Sequence, residues 1–270
     1  MPKRIQSPSS INTFKQCPRK YFYQYIVKHK TSENIHCVRG NVVHETLERF
    51  YDYDISNTGP ETYKQDLSFF LKSLFDACWN NAKNRLSKLG LSEEKLDFYK
   101  NESTHMLANW LNHLFKDIDK ELKKNISLSV AFNKLQPIAK EKQYIDKELA
   151  VRGYIDAICQ EGEHITLLDY KTSKAADFKP EYMLQLGIYA VLYEKEHGKY
   201  PDNVGIWLLK HGPQVIKVTP KLVKDALFEI EQIHAATESA IIMDYPKKKS
   251  PLCKYSTGQC DFYEICMKDK

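Results

Sequence analysis

The sequence has no apolar run approaching the ~18 residues that a bilayer-spanning helix needs. Its opening residues, MPKRIQSPSS, carry no apolar segment of a secretory leader, so an intracellular, cytoplasmic location is expected. Internal repeats, low-complexity tracts and Gly/Ser linkers are also missing, which argues against a solenoid or a string of modules. A Gly-x-x-x-x-Gly-Lys phosphate loop is absent, which leaves the chain no helicase motif. The seven cysteines are an odd number for a disulfide framework, and without a leader they are expected to stay reduced. Acidic side chains are lacking from residues 1–32, where seven Lys or Arg stand among Phe14, Tyr21, Phe22, Tyr23 and Tyr25. Cations that neutralise phosphates beside rings that stack on bases are the equipment of a single-stranded nucleic-acid groove. A solvated basic face over an ordinary aromatic core fits the composition equally well.

What is present supports a sizeable core. Aliphatic and aromatic residues make up 42% of the 270 residues, with 17 Tyr and 12 Phe, and the net charge is a modest +5. The first half reads as helical: 7–30 interrupted at Pro18, then 39–54, 61–86 and 93–123, with apolar stripes such as Met106, Trp110, Leu114 and Ile118. Near residue 126 the texture changes to alternation and short apolar runs. Three antiparallel strands are expected at 138–145, 148–159 and 164–171, turning at Asp146–Lys147 and Glu161–Glu163. A helix follows over 180–197, with Pro180 at its start and Gly198 at its end. Strands at 203–210 and 214–219 flank an HGP turn, and a last helix runs over 220–242. The pattern predicts an α/β (α+β) fold: a mixed central sheet flanked by helices, after a helical N-terminal region. One domain is expected over 1–270. Its parts are a basic segment (1–36), a helical region (37–125), the core (126–245) and a cysteine segment (246–270).

The chemistry concentrates in VRGYIDAI and HITLLDYKTSK. If these strands pair, Asp156 and Asp169 lie side by side, and Lys171 shares a face with Asp169 because side chains repeat every two residues. Two close carboxylates repel unless protonated or neutralised. A hard divalent cation with oxygen ligands is the usual solution. A neighbouring lysine can orient or help deprotonate water, or stabilise charge developing on phosphate. Metal and lysine together are the equipment for hydrolysing a phosphodiester. Taken alone, an Asp-x-Lys is more simply a charge pair at a strand end, and His44 a core or surface histidine. Gln185 and Tyr189, four apart on one helix face, are in isolation a polar rim.

The combination is more specific. GYID and LLDYK resemble the core of the PD-(D/E)XK nucleases, in the branch of the RecB nuclease domain and the CRISPR-associated adaptation exonucleases. SPSSINTFKQCPRKYFYQY resembles that branch's Ser-rich, Cys-Pro-Arg-Lys-aromatic signature, RGNVVHETLE its Gly-x-x-x-His motif, and QLGIY its Gln-x-x-x-Tyr motif. The resemblance implies a restriction-endonuclease-like core, with Mg²⁺ or Mn²⁺ held by His44, Asp156, Asp169 and the Tyr170 carbonyl. It also implies that Lys171, Gln185 and Tyr189 join Asp156 and Asp169 in catalysis. Glu141, on the preceding strand, is a weaker candidate. Arg19, Lys20, Tyr21 and Tyr25 are the expected DNA contacts.

The thiols of CKYSTGQCDFYEIC are spaced C-x6-C-x5-C, and Cys17 lies inside the N-terminal signature. Four thiolates suit a [4Fe–4S] cluster or a tetrahedral Zn²⁺. The resemblance implies the cluster, on Cys17, Cys253, Cys260 and Cys266. It departs at Cys253, because six residues stand before Cys260 where the family usually has two. Cys37, Cys78 and Cys159 read as small buried hydrophobes. The leading expectation is a metal-dependent DNA exonuclease in repair, recombination or CRISPR adaptation, working alone, as a homo-oligomer, or with a CRISPR integrase or helicase. One alternative is a DNA-binding or scaffolding subunit without catalysis; a weaker one is a zinc-stabilised adaptor.

Overall fold

A computed structural model describes residues 3–173, 176, 178–255 and 258–269. The basic segment opens with α1 (Pro8–Gln16) and α2 (Pro18–Tyr21), continued by a π-helical turn over Phe22–Ile26. Ser7 and Ser10 cap α1 reciprocally, and Pro18 sits in the first turn of α2, where its missing N–H costs nothing. The helical region comprises α3 (Ile35–Phe50), α4 (Tyr63–Asn81), α5 (Lys83–Ser87), α6 (Glu93–Leu122) and α7 (Leu128–Leu135). The Asn34 side chain caps α3 ahead of the expected start, and α7 fills a stretch where no helix was expected.

The core follows as β1 (Ala139–Asp146), β2 (Val151–Glu161), β3 (His164–Lys171), α8 (Pro180–His197), β4 (Asn203–Leu208), β5 (Gly212–Lys217) and α9 (Pro220–Ala236). α8 spans the expected 180–197. α9 ends earlier than expected, where the Thr237 hydroxyl bonds back to the Ile233 carbonyl. The β4–β5 connection is Leu209–His211 rather than HGP, so β5 begins at Gly212, whose φ of +129° suits glycine. The chain closes with β6 (Lys254–Tyr255), β7 (Gly258–Gln259) and α10 (Tyr263–Lys268).

The five main strands form one mixed sheet in sequential order, parallel between β3 and β4 and antiparallel elsewhere. The parallel step requires a crossover, and α8 supplies it. The sheet is sandwiched between two apolar cores. One, around Val43, Phe50, Trp110, Phe132, Leu168 and Tyr170, packs the helical region on one face. The other, around Ile155, Leu167, Tyr189, Leu192, Ile206 and Ile230, packs α8 and α9 on the opposite face. The alternation of β3 shows this directly: Ile165 and Leu167 face α8, Leu168 and Tyr170 the helical region.

The alternation slips at one place. Ile155 and Ile158 would point to opposite faces of a regular strand, yet both belong to the α8 core. Between them lies Asp156. The β1–β2 register runs unchanged from Lys140↔Ala157 to Lys142↔Ile155 but skips the pair between, and Glu141, opposite Asp156 there, has a φ of +46°. A non-glycine residue in the left-handed region is strained, and such positions cluster at functional sites. An N-terminal strap completes the sheet. Gln6 accepts from Arg152 N and donates to Ala150 O, both at 2.8 Å, and so covers the end of β2 that β3 leaves open.

Candidate active site

Four elements deliver the predicted residues to one place. α3 brings His44, β1 Glu141, β2 Asp156, and the end of β3 Asp169 and Lys171. His44 Nδ1 lies 3.4 Å from Asp156 Oδ2 and 3.5 Å from Glu141 Oε1. One ligand atom from each of His44, Glu141 and Asp156 falls within 4.8 Å of the others, a spacing open to a single metal ion. The β2–β3 register, Ala157↔Leu168, sets Asp169 beside Asp156 one step further on, and Tyr170 N donates to Asp156 Oδ2 at 2.6 Å.

Asp169 is 3% exposed. Its Oδ1 accepts from Gln185 Nε2 at 2.6 Å and from the Tyr189 hydroxyl at 3.2 Å. Gln185 Nε2 also lies 2.6 Å from that hydroxyl. Lys171 Nζ stands 2.6 Å from Oδ2 as an ion pair, but at an angle that leaves this buried oxygen without a hydrogen bond. Asp169 lies outside the close His44–Glu141–Asp156 group, on the adjoining strand; two carboxylates and an imidazole, with this oxygen's lone-pair capacity in reserve nearby, are donors of the kind Mg²⁺ and Mn²⁺ take. The residues therefore fit a hard divalent ion.

The electrostatics say the same. Burial, then the Asp169 charge, pushes the Asp156 carboxyl up to about 6, with His44 pulling it back. Burial works against a charged His44, yet Asp156 and then Glu141 raise its imidazole to about 10. Burial likewise opposes the Lys171 ammonium, and the Asp169 carboxylate raises it nonetheless. Acidic side chains thus crowd one imidazole and one ammonium, and strongly perturbed titratable groups of this kind gather at functional sites.

The sequence pattern that locates these residues extends over nearly the whole chain, and the model of the PD-(D/E)XK nuclease superfamily matches residues 6–267. The chain belongs to this superfamily. Beside this PD-(D/E)XK match, the chain is similar to an ATP-dependent helicase/nuclease subunit of Listeria monocytogenes serotype 4b (strain F2365), with 30% identity over 109 residues. The corresponding protein of Streptococcus pyogenes serotype M2 (strain MGAS10270) is 28% identical over 152 residues. These alignments take in 36% and 54% of this chain but 9% and 11% of the relatives, so the chain spans about a tenth of their length. A crystal structure of a candidate exonuclease from Eubacterium rectale shares the fold, with a TM-score of 0.52 and 12% identity over 93% of this chain and 86% of the other.

Sequence reasoning missed the brace beside the PD-(D/E)XK site. Arg39, buried on α3 five residues before His44, pairs with Glu102 of α6 and donates Nη2 to the Thr172 carbonyl at 3.0 Å. Lys210 Nζ reaches the other Glu102 oxygen at 2.5 Å, and Leu209 N donates to Lys171 O at 3.0 Å. The end of β3 is thereby tied to the helix that carries His44. The one sequence signal was the arginine ahead of the glycine in RGNVVH.

The basic segment differs from expectation. Arg19 and Tyr21 are 4% and 0% exposed, which removes both from any surface a strand can touch. Arg19 Nε donates to the Tyr245 carbonyl at 2.8 Å and Nη1 pairs with Asp269, while the Tyr21 hydroxyl donates to Gln6. These two residues hold the chain ends together, as an aromatic core with Phe22, Tyr23, Tyr245 and Phe262 requires. Lys20 and Tyr25 remain half-buried. Cys17, Cys253, Cys260 and Cys266 line one cavity of about 40 Å³, although among the described residues they form no tight three-donor group of the His44 kind. Burial raises the Cys260 and Cys266 thiols. Of the other cysteines, Cys78 is buried, Cys159 half-buried and Cys37 exposed, which corrects the expectation for Cys37. Among the described residues no helix is long and apolar enough to cross a membrane.

Proposed function

We propose that the protein is a Mg²⁺- or Mn²⁺-dependent deoxyribonuclease that hydrolyses phosphodiester bonds in single strands or at DNA ends, as an exonuclease. The observation that carries this reading is the gathering of His44, Glu141 and Asp156 within 4.8 Å of one another, with the Asp169–Lys171 pair on the neighbouring strand. His44, Asp156, Asp169 and the Tyr170 carbonyl are the proposed ligands, with Glu141 as a further oxygen donor. A divalent ion there supplies Lewis-acid charge toward phosphate and a more acidic water. Gln185 and Tyr189 fix the Asp169 carboxylate through Oδ1, which keeps Oδ2 turned to Lys171. Lys171 brings ammonium protons to the attacking water and to the oxygens of the scissile phosphate, where charge builds in the transition state.

The four cysteines are proposed to hold a [4Fe–4S] cluster, with Zn²⁺ as the alternative. Their shared cavity supports a common four-thiolate group that joins residue 17 to the C-terminal segment. A helicase partner is favoured by the names of the two bacterial relatives, which are helicase/nuclease subunits. A CRISPR integrase partner, homo-oligomerisation and a cytoplasmic location rest on the sequence reading alone.

The test is an anaerobic preparation assayed with Mn²⁺ on end-labelled linear and on circular single-stranded DNA, with its visible spectrum recorded. Progressive shortening of the linear strand only, by a brown protein, is expected. Cutting of circles would replace exonuclease by endonuclease, a colourless zinc-bearing protein would replace the cluster, and no cleavage of either DNA would overturn the reading.

A further inference from the structure

The residues of the candidate site reach it from two sides: His44 rides on α3, whereas Asp169 and Lys171 end a strand of the sheet. Between them lies Arg39, 3% exposed, whose guanidinium makes three contacts. Nη1 pairs with Glu102, Nη2 donates to the Thr172 carbonyl at 3.0 Å, and the central carbon lies 5.5 Å from the centre of the Tyr99 ring. Glu102 holds Lys210 on its other oxygen. Lys171 makes the last pair of the β3–β4 ladder, with Leu208. Just past that pair, two consecutive carbonyls are held by different partners: Lys171 O by Leu209 N, and Thr172 O by Arg39. Asn109, two turns along α6 from Glu102, donates to the Leu209 carbonyl at 2.9 Å. A Cβ on Gly40 would stand 3.9 Å from Thr172 Oγ1, so α3 passes the strand end at contact distance.

We infer that Arg39 is a positioning residue for the hydrolytic reaction: through Glu102 and the Thr172 carbonyl it fixes the backbone beneath Lys171 against the helix that bears His44. It thereby sets where the ammonium stands relative to the metal ligands. The inference rests on the nuclease reading above and adds to that reaction a residue that acts through Lys171. Three features favour positioning over packing. A buried guanidinium–carboxylate pair is a weak stabiliser, since apolar residues of similar volume often do as well or better. Arg39 Nε is moreover buried without a hydrogen-bond partner, a cost that packing alone does not explain. The contacts also need the shape of arginine, whose planar fork reaches a carboxylate and a carbonyl at once, where lysine offers a single ammonium. Finally, the bridge closes on the residue directly after Lys171. The four-carbon arm of Lys171 is placed only as well as its backbone is held, and a shift of about 1 Å at a reacting group can slow chemistry about 100-fold.

The experiment is a double-mutant cycle on the full chain, with kcat and KM measured in Mn²⁺ on end-labelled single-stranded DNA. Mn²⁺ affinity without DNA and the melting temperature are recorded for each variant. Arg39→Lys keeps a charge beside Glu102 but loses the fork. It is expected to lower kcat about 10–100-fold with KM held within about twofold. Its Mn²⁺ affinity should stay within about twofold of the parent's, because Gln185 and Tyr189 hold Asp169 independently. Lys171→Arg keeps a cation and lowers kcat as well, and in that background Arg39→Lys should cost less than about twofold more. A merely structural role would reduce the folded fraction, so its effect would multiply unchanged through that background. Should Arg39→Lys not fold, Glu102→Gln, which leaves Arg39 its Thr172 carbonyl, enters the same cycle with an expected loss of about threefold. A variant as fast as the parent, losses that multiply, or Mn²⁺ affinity that falls with kcat would overturn the positioning role and leave the nuclease reading intact. A parent that cuts no DNA would overturn both.

Discussion

The candidate active site and the cysteine-lined cavity are built on opposite plans. The first draws its residues from one long helix and three strands, with Asp156 Oδ2 and Asp169 Oδ1 held by hydrogen bonds from Tyr170 N, Gln185 and Tyr189. The second draws its thiols from a helix junction at Cys17 and from a C-terminal segment whose elements span two to six residues. That segment is anchored by Arg19 and Tyr23 on Asp269 and by Phe262 in the aromatic core. Short elements cannot nucleate alone, so their order depends on tertiary ties and on what the thiols hold. With the proposed four-thiolate group, metal loss should affect the two places unequally: the candidate active site is built on long elements, whereas the cysteine segment would draw part of its order from its ligand.

The largest expected effect breaks the first half of that comparison. Asp169→Ala or Lys171→Ala should lower cleavage of labelled single-stranded DNA about a thousandfold. Each also leaves its partner in a largely buried ion pair alone, so the melting temperature should fall while the far-UV circular dichroism keeps the parental form; cleavage, melting and dichroism check this together. Arg39→Met comes next. It takes from Glu102 the buried guanidinium, leaving the Lys210 pair, and frees the Thr172 carbonyl; removing one partner of a buried pair costs about 3 kcal/mol. Urea unfolding measures it, and an unchanged midpoint would remove the brace. Cys266→Ser should leave unfolding of the sheet unaltered but make the last twenty residues or so the first site of limited proteolysis, with loss of bound metal. Equal protection in variant and parent would contradict the contrast between the two regions.

Gln185→Ala addresses a finer point: its loss should slow cleavage about 10–100-fold, as is typical when a group that orients a metal ligand is removed. The smallest effect is in pH. His234, buried with its Nε2 2.8 Å from the Leu149 carbonyl, has its pKa lowered by burial. Its folded pKa lies below the unfolded value of about 6.5, so the neutral form is favoured by folding, and its contribution is present above pH 6.5 and lost on acidification below it. Melting temperatures of the parent should fall more steeply from pH 7.5 to 5.5 than those of His234→Gln.

Much of the fold was legible because its patterns are local. α8 carries Pro180 and Gly198 as end signals, and the three strands from 139 to 171 show alternation between turn residues. The pairing of Asp169 with Lys171 was legible for the same reason, since a period of two places them on one face without knowledge of anything distant. What was not legible depends on contacts far apart in sequence. The burial of Arg19 arises from Tyr245 and Asp269, over 220 residues away, and a basic residue read alone looks solvent-facing. The slip in alternation at Asp156 needs the opposing left-handed Glu141 to be seen, so Glu141 was undervalued. α7 was missed because its Leu128–Leu135 stretch is too short to show a helical period beyond two turns.

The central claim is that His44, Asp156, Asp169 and Lys171 form one metal-dependent hydrolytic site. Its most direct test is cleavage of end-labelled single-stranded DNA by the protein stripped with chelator, then restored with Mn²⁺, in parallel with Lys171→Ala. No cutting after chelation is predicted, with full recovery by Mn²⁺ in the parent and none in the variant. Cleavage that persists in chelator, or a Lys171→Ala protein that recovers as the parent does, would contradict it.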